Sequence, residues 1–518
     1  MRKRSFSEKS MIKAGGTSDG GTAAGGYITL YLTLTIAAAL SLYIVLIRGA
    51  RLSAAKMQLE SVCRISENAS LAEFHQALHS RYDLFFVDAS YGGAGGGNEV
   101  LGQHLRTYME KNCERKTVMP LSGKRDWTSM EIGDVRVTGA RYACDQNGRA
   151  VREQVYAYMS ADPAGTLAAE FLSCADQWRG LEVSGREWKD ETEKREKELK
   201  RSLKRKREER RQENVEKEEN EEEVTSEERE AASGEPSEAE EMVDQMESFQ
   251  FLPILMQVFG SLEGLSEEKI RAEDCLSRRS VHLGTGMTAK NAHGFPMADE
   301  VIFDRYILEK TGSCTEPIED GRLRYQQEYI LCGKASDREN LEGIAGRLLL
   351  IREASNCAYL FHDTEKMGKV NLVAAAVSLI LFNPELEKEI SDALALAWSY
   401  LESVQDVRTL MTGGKVPLVK TAESWQTGLH ELLTPLEAIR DRDSGTGLSY
   451  TEYLQGLLFL EGRTVKTQRT MDIMEMDIRR ITGNNAFRMD LCMDEFGMHA
   501  EVKACGKAFT YDGENGYN

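Results

Sequence analysis

The longest uninterrupted apolar stretch of the chain, YITLYLTLTIAAALSLYIVLI, runs from Tyr27 to Ile47, 21 residues without a charge. At about 1.5 Å of rise per residue, a helix of this length crosses the roughly 30 Å hydrocarbon core of a bilayer. Thr29, Thr33, Thr35 and Ser41 within it are compatible with lipid, because a helical hydroxyl returns its hydrogen bond to a carbonyl one turn back. Past the run, Leu52, Ala55, Leu59, Val62, Ile65 and Ala69, then Leu71, Phe74 and Leu78, recur at three- and four-residue steps. That spacing predicts that the helix continues outward with one apolar face.

Downstream, the run YDLFFVD (Tyr82–Asp88) predicts a short strand, followed by a glycine loop to Gly97, and Leu101–Cys113 predicts a helix. Val135–Val151 predicts a strand, a turn at Asn147-Gly148 and the start of a helix. Beyond Phe249 the period becomes helical. Ser336 with Glu339 has the spacing of a capping box, and Leu341, Ile344, Ala345, Leu348 and Leu349 form one face of the helix that follows. Leu372–Phe382 is an apolar run of 11 residues, too short to span a bilayer, and predicts a buried core helix. Ser449 with Glu452 opens a long helix expected to run to about Ile481 and to end at Gly483. The last residues switch to period two (Phe487, Met489, Leu491; Met498, Ala500, Val502, Ala504), so the chain is expected to close in short antiparallel strands, across which Cys492 and Cys505 are placed to pair. The predicted fold class is therefore α+β, mostly helical.

Charge divides this pattern. From 186 to 230 the chain carries 15 basic and 18 acidic residues, and six more carboxylates follow by Glu247. Trp188, Leu199, Leu203, Val215 and Val224 keep no a/d heptad, so 186–247 is expected to be a charged linker and not a stable coiled coil, despite its coiled-coil-like composition. The expected organisation is a basic leader (1–26), a transmembrane helix (27–47), a membrane-proximal α+β part (48–185), the linker (186–247) and a helical part closing in strands (248–518). The KRKREERR run within the linker has the composition of a phosphate-binding or nuclear-localisation segment, but the acidic block from Glu213 to Glu241 competes for its cations. A net charge of -19 over 518 residues argues against nucleic acid as a partner of the whole chain. Ten widely spaced cysteines include no CxxC and no zinc spacing, which leaves the presence of any disulfide open.

The leader sets the expected orientation. Arg2, Lys3, Arg4, Lys9 and Lys13 outweigh Glu8 and Asp19, which holds the N-terminus in the cytoplasm and places the C-terminal bulk outside. Arg48, Arg51, Lys56 and Arg64 follow closely, so the asymmetry is small. A cleaved signal peptide using Ala37–Ala39 is the alternative. Gly25-Gly26 directly before the run also have the form of a prepilin-peptidase site, making the Gly26–Tyr27 bond a candidate processing site. The residue five places after the junction is Tyr31, where type IV prepilins carry glutamate, so an uncut anchor is the simpler reading.

Several long segments resemble one family: the membrane run ending in ARLSAAK, FHQALHSRYDLFFVDASYG, FDRYILEKTGSCTEPIEDGRLRYQQEYILCGKASDRENL, RLLLIREASNCAYL, GGKVPLVKTAESW, GLSYTEYLQGLLFL and TGNNAFRMD. They are similar to uncharacterised single-pass proteins of Gram-positive bacteria associated with tight-adherence (Tad/Flp) pilus loci, classed as a domain of unknown function. The N-terminal helix resembles that of TadE-like pseudopilins without their glutamate. The resemblance implies a cell-envelope location and a pilus-associated role, with pilus subunits or assembly proteins as partners beside membrane lipid, and it brings no established activity.

The residues supply little chemistry of their own. His75 and His79, with Glu73 nearby, have a spacing that can hold a metal, but the order is not HExxH and the spacing places no third ligand. Asp83 and Asp88 flank LFFV as a carboxylate pair or, more simply, as strand-end turn residues. The glycine loop lacks a following Gly-Lys-Ser/Thr, and no nucleophile elbow, nucleotide fingerprint or kinase set appears. No catalytic, cofactor or metal residue is therefore expected. The expected function is a non-enzymatic structural or assembly accessory of a tight-adherence pilus, with a surface enzyme or ligand sensor as the alternative.

Overall fold

A single helix, α1 (Gly21–Leu71), carries the apolar run and continues well past it, as the three- and four-residue spacing predicts. The structure, a computed structural model, describes residues 21–93, 95–113, 130–160, 177–180, 238–284, 297–380, 387–442 and 445–517, with four isolated positions at 194, 201, 205 and 212. From Tyr27 to Ile47 every side chain of α1 is exposed, and this is the one helix among the described residues long and apolar enough to cross a membrane. The hydroxyls of Thr33, Thr35 and Ser41 bond back to the carbonyls of Leu30, Leu32 and Ala38 at 2.8–2.9 Å. Burial begins at Ala55 and follows Leu59, Val62, Cys63, Ser66 and Glu67. Ile65, expected on that face, points outward, because Cys63 and Ser66 hold the stripe there.

After α1 come α2 (Gln76–Tyr82), β1 (Val87–Asp88), α3 (Asn98–Cys113), β2 (Glu131–Tyr142) and α4 (Arg149–Ser160). The turn between β2 and α4 puts Gln146, Asn147 and Gly148 at positive φ, the conformation for which Asn-Gly is suited. The next described helices are α5 (Glu238–Gln250) and α6 (Ile254–Phe259). Thus α5 takes in the last ten residues, 238–247, of the expected charged linker. Met242, Met246 and Phe249, spaced four and three apart, are buried, and that face packs inward although its neighbours are acidic. The rest of the linker, 186–237, lies outside the described residues apart from the isolated positions.

The helical part follows as α7 (Met297–Lys310), α8 (Gln326–Cys332), α9 (Asp337–His362), α10 (Thr364–Ile380), α11 (Glu387–Met411), α12 (Tyr450–Leu460) and α13 (Arg463–Arg480). The chain closes with β3 (Cys492–Ala504) and β4 (Lys507–Gly516). Both expected caps form: the Ser336 hydroxyl accepts from Glu339 N, and Ser449 with Glu452 makes the full reciprocal box. Three expectations need correction. The helix expected from Ser449 to Ile481 is two, because Glu461 and Gly462 take extended backbone (ψ 146° and 131°) and Gly462 caps α13. Of the 372–382 run, 381 and 382 lie outside the described residues and the rest is only partly interior: Ala374 and Val377 are buried but Leu372 is 75% exposed, since α10 lies against α9 and α11 by one side. Met489 and Leu491 belong to a 3-10 turn, and period-two burial starts only within β3.

In the sheet, β3 lies between β1 and β2 and also pairs with β4. Val87 stands opposite Met493 and Asp88 opposite Cys492 in antiparallel register. A two-residue turn joins β3 to β4, with Cys505 and Gly506 both left-handed (φ 54° and 78°), as a twisted hairpin favours. Cys492 and Cys505 therefore stand at opposite ends of one 13-residue strand, about 40 Å apart at the usual strand rise, and cannot bridge. Cys63, Cys144, Cys275, Cys314, Cys332, Cys357 and Cys492 are thiols and not half-cystines.

The chain packs as two compact units. One comprises Met1–Ala69, Gly102–Arg136 and Met498–Gly513; the other comprises Ser70–Leu101, Val137–Gly497 and Glu514–Asn518. In the first unit the Tyr511 hydroxyl donates to Glu67 at 3.3 Å, and burial raises the Glu67 carboxyl above the ordinary range. The second unit holds a continuous apolar core in which α9 runs along α11, with the indole of Trp178 edge-on to Tyr453 at 5.3 Å.

Candidate functional site

The residues singled out from the sequence fall at several places. Gly26 and Tyr27 lie in the helical backbone of α1, with Tyr27 75% exposed. His75 is the N-cap of α2: its Nδ1 accepts from Leu78 N at 3.2 Å while Nε2 meets Asn484 Oδ1 at 3.0 Å. An accepting Nδ1 requires the proton on Nε2, so the ring is the neutral tautomer, and burial lowers its pKa in the same sense. His79 packs against Phe74 (5.2 Å) and Phe85 (4.3 Å). Among the described residues no group of three or more His, Cys, Asp or Glu is placed to hold a metal.

Asp83 and Asp88 are turn residues. Asp83 ends α2 in the left-handed region (φ 55°) and accepts from Lys310 at 2.8 Å, while Asp88 receives both the backbone N–H and the hydroxyl of Ser90. The glycine loop folds back on the end of β1, and Gly97 N donates to Ala89 O at 3.0 Å. A Cβ at Gly96 would stand 2.3 Å from Ser90 Cα, so this position requires glycine for close backbone approach and not for phosphate binding.

Buried charge, which local spacing does not mark, supplies the electrostatics of the second unit. On α9 and α11, Arg352 and Asp406 form a fully buried pair at 3.0 Å, and Lys420 reaches both Asp406 Oδ1 (2.7 Å) and Glu402 Oε1 (2.5 Å). Arg352 also donates to the carbonyls of Pro417 and Leu418 and to Asn356 Oδ1, while Glu402 accepts from the N–H groups of Gln426 and Thr427. Burial would raise the Asp406 carboxyl, but Arg352 and Lys420 outweigh it and hold the group below its ordinary range. These bonds fasten the 416–427 segment to two helices, and breaking such a buried pair costs about 3–5 kcal/mol.

A second set lies on α13. Asp472 accepts from Ser277 and Tyr329, and Glu475 from Arg279, Arg479 and Met489 N. Asp477 accepts from Arg81, Tyr82, Gln326 and Arg322 N. The sequence does carry a faint mark of this set. In MDIMEMDI the carboxylates alternate with Met471, Ile473, Met474, Met476 and Ile478, which leaves no helix face for solvent.

Burial raises several of the carboxyls, Asp472, Asp477 and Asp494 among them, and two more lie on α8 and α7. Glu328 is pushed up to about 7 while its Oε1 accepts from Cys314 N and the Tyr450 hydroxyl, both at 2.8 Å. Asp304 on α7 is pushed up to about 6 by burial, against the opposing charge of Lys466 on α13.

The comparisons with known proteins are sparse. A family model described as a family of unknown function, DUF5702, matches residues 232–504. No curated protein and no solved structure is similar to the chain. The matched segment takes in α5 through the whole of β3, with the buried networks of Arg352, Asp406, Asp472 and Glu475 inside it. As that match spans more than half of the chain, the protein belongs to the DUF5702 family, whose function is unknown.

Proposed function

We propose that the protein is a non-enzymatic component of the bacterial cell envelope, held in the membrane by Tyr27–Ile47, and a structural or assembly accessory of a tight-adherence pilus. The observation that carries the anchoring is the exposure of the whole uncharged run on a helix whose buried face starts only at Ala55. Leaving that much apolar surface in water is unfavourable by about 25 cal/mol per Å², and a bilayer removes the penalty. The basic leader keeps the N-terminus inside, and the chain beyond Ile47 then stands outside. The pilus association rests on the likeness of the quoted segments to proteins of those loci. Closely partnered charge, as at Arg352 and Asp406, suits a scaffold more than a reaction centre.

Two measurements test this. Protease added to intact, wall-stripped cells should degrade residues beyond 48, and full protection would overturn the orientation. Crosslinking in cells followed by identification of bound proteins should recover pilus subunits or assembly factors; recovery of none of these, with the protein intact in the membrane, would remove the pilus role and leave the anchoring.

A further inference from the structure

Among the described residues of the second unit, the buried lysines Lys420 and Lys466 each meet two carboxylates, and one set is arranged as a closed ion pair while the other is not. Lys420 belongs to the closed kind. Asp406 Oδ1 takes Lys420 while Oδ2 takes Arg352 and Asn356, and both oxygens of Glu402 are occupied by Lys420, Gln426 N, Thr427 N and the Thr427 hydroxyl. Asp406 is held as the anion, and a carboxylate anion resists attack by an amine.

Lys466 and Asp304 differ on each point. Both side chains are almost wholly buried, 1% and 0% exposed, and Lys466 Nζ contacts Asp304 Oδ1. Asp304 Oδ2 is buried without a hydrogen-bond partner. Glu300, one turn earlier on α7, places Oε2 3.3 Å from the same Nζ and is itself held by Arg463 at 2.5 Å and by Arg152. Nζ has one further partner, Leu458 O at 3.3 Å.

We propose that Lys466 and Asp304 condense to an intramolecular amide, joining α7 to α13 by an Nζ–Cγ bond, with Glu300 as the proton carrier. The balance closes without any other reactant. Lys466 ammonium and Asp304 carboxylate first exchange a proton, giving amine and carboxylic acid with no change in net charge. The Nζ lone pair then attacks Cγ and the N–C bond forms; Glu300 relays one proton from nitrogen and the acid proton from Oδ1 to Oδ2, so that the Cγ–Oδ2 bond breaks with Oδ2 leaving as water and Oδ1 kept as the amide carbonyl. One water leaves; nothing is oxidised or reduced. Three features favour the step. Burial raises Asp304 to about 6, which makes the neutral acid accessible near neutral pH. The contact holds the reacting groups together, so their effective concentration is high. Condensation also removes two ions from a site where ions are poorly solvated, which shifts an equilibrium that in water favours hydrolysis. The Oδ2 without a partner is the oxygen that departs.

The test is peptide mapping by mass spectrometry of the full chain extracted from membranes, read from the linked peptide so that processing at the N-terminus does not enter. A branched peptide joining the Asp304 and Lys466 segments, lighter than their sum by one water, is the expected result. Linear Asp304 and Lys466 peptides in the folded wild-type protein would overturn the proposal, and so would a lost water that maps to Lys420. Lys466→Arg keeps the charge but should give linear peptides only. Glu300→Gln should slow or abolish the linkage in protein whose circular dichroism matches wild type, and a bond formed as fast as in wild type would overturn the role of Glu300.

Discussion

The hydroxyl of Tyr82 donates to Asp477 Oδ2 at 2.9 Å, joining two fully buried side chains that lie 395 residues apart in the sequence. The YDLFFVD segment thereby packs with α13 in one unit, although the charged stretch separates them along the chain. Tyr82→Phe should cost about 1 kcal/mol, since Asp477 keeps Arg81, Gln326 and Arg322 N. Asp477→Ala, which strips those donors of their acceptor, should cost about 3–5 kcal/mol. Urea unfolding of the two variants measures the contrast, and equal losses would contradict the shared network.

Glu328 gives a pH dependence of defined sign. Its folded pKa is raised from 4.5 to about 7, so the folded state binds the proton more tightly than the unfolded state. The resulting stabilisation is complete below pH about 4.5 and is lost as pH rises through about 7. In Glu328→Gln, which cannot ionise, that part of the decline should vanish. Melting temperatures of both proteins across pH 4 to 8 decide this; parallel curves would assign the decline to other groups.

Gly456 in α12 tests close packing against helix propensity. Alanine is favoured over glycine inside a helix by about 1 kcal/mol, yet a Cβ here would stand 2.6 Å from the Trp178 indole. Gly456→Ala should therefore lower stability and move tryptophan emission to longer wavelength as the ring is displaced. Trp178→Leu in the same chain should recover part of the loss. A more stable single variant would show that the indole yields freely.

At the N-terminus, Gly26→Val separates two fates of the leader. A prepilin-type peptidase needs the small residue at the cut, so an obligatory processing step would leave this variant full-length while wild type starts at Tyr27. Tyr31 stands where the pilin glutamate is expected, and no effect of the substitution is the outcome anticipated, with both proteins starting near residue 1 by N-terminal sequencing. A wild-type start at Tyr27 would reverse this reading.

The sequence by itself determined the local elements: the apolar run and its helical continuation, the Ser336 and Ser449 caps, the Asn147-Gly148 turn, and the period-two burial of Met498, Ala500, Val502 and Ala504. Each is governed by residues within a turn or two of one another, so spacing records it. Glycine at 462 was visible, but its choice of extended backbone over a continuous helix depends on what α12 and α13 pack against. The tertiary structure alone decided which distant groups meet. Arg352 selects Asp406 on another helix, Tyr82 reaches Asp477, and Lys466 is left against Asp304 with one oxygen unpartnered. It also separated Cys492 from Cys505, whose spacing read as a bridge across strands becomes the length of a single strand. A lone carboxylate or lysine in a sequence carries no sign of its partner, because the energy that permits its burial comes from groups folded onto it from elsewhere in the chain.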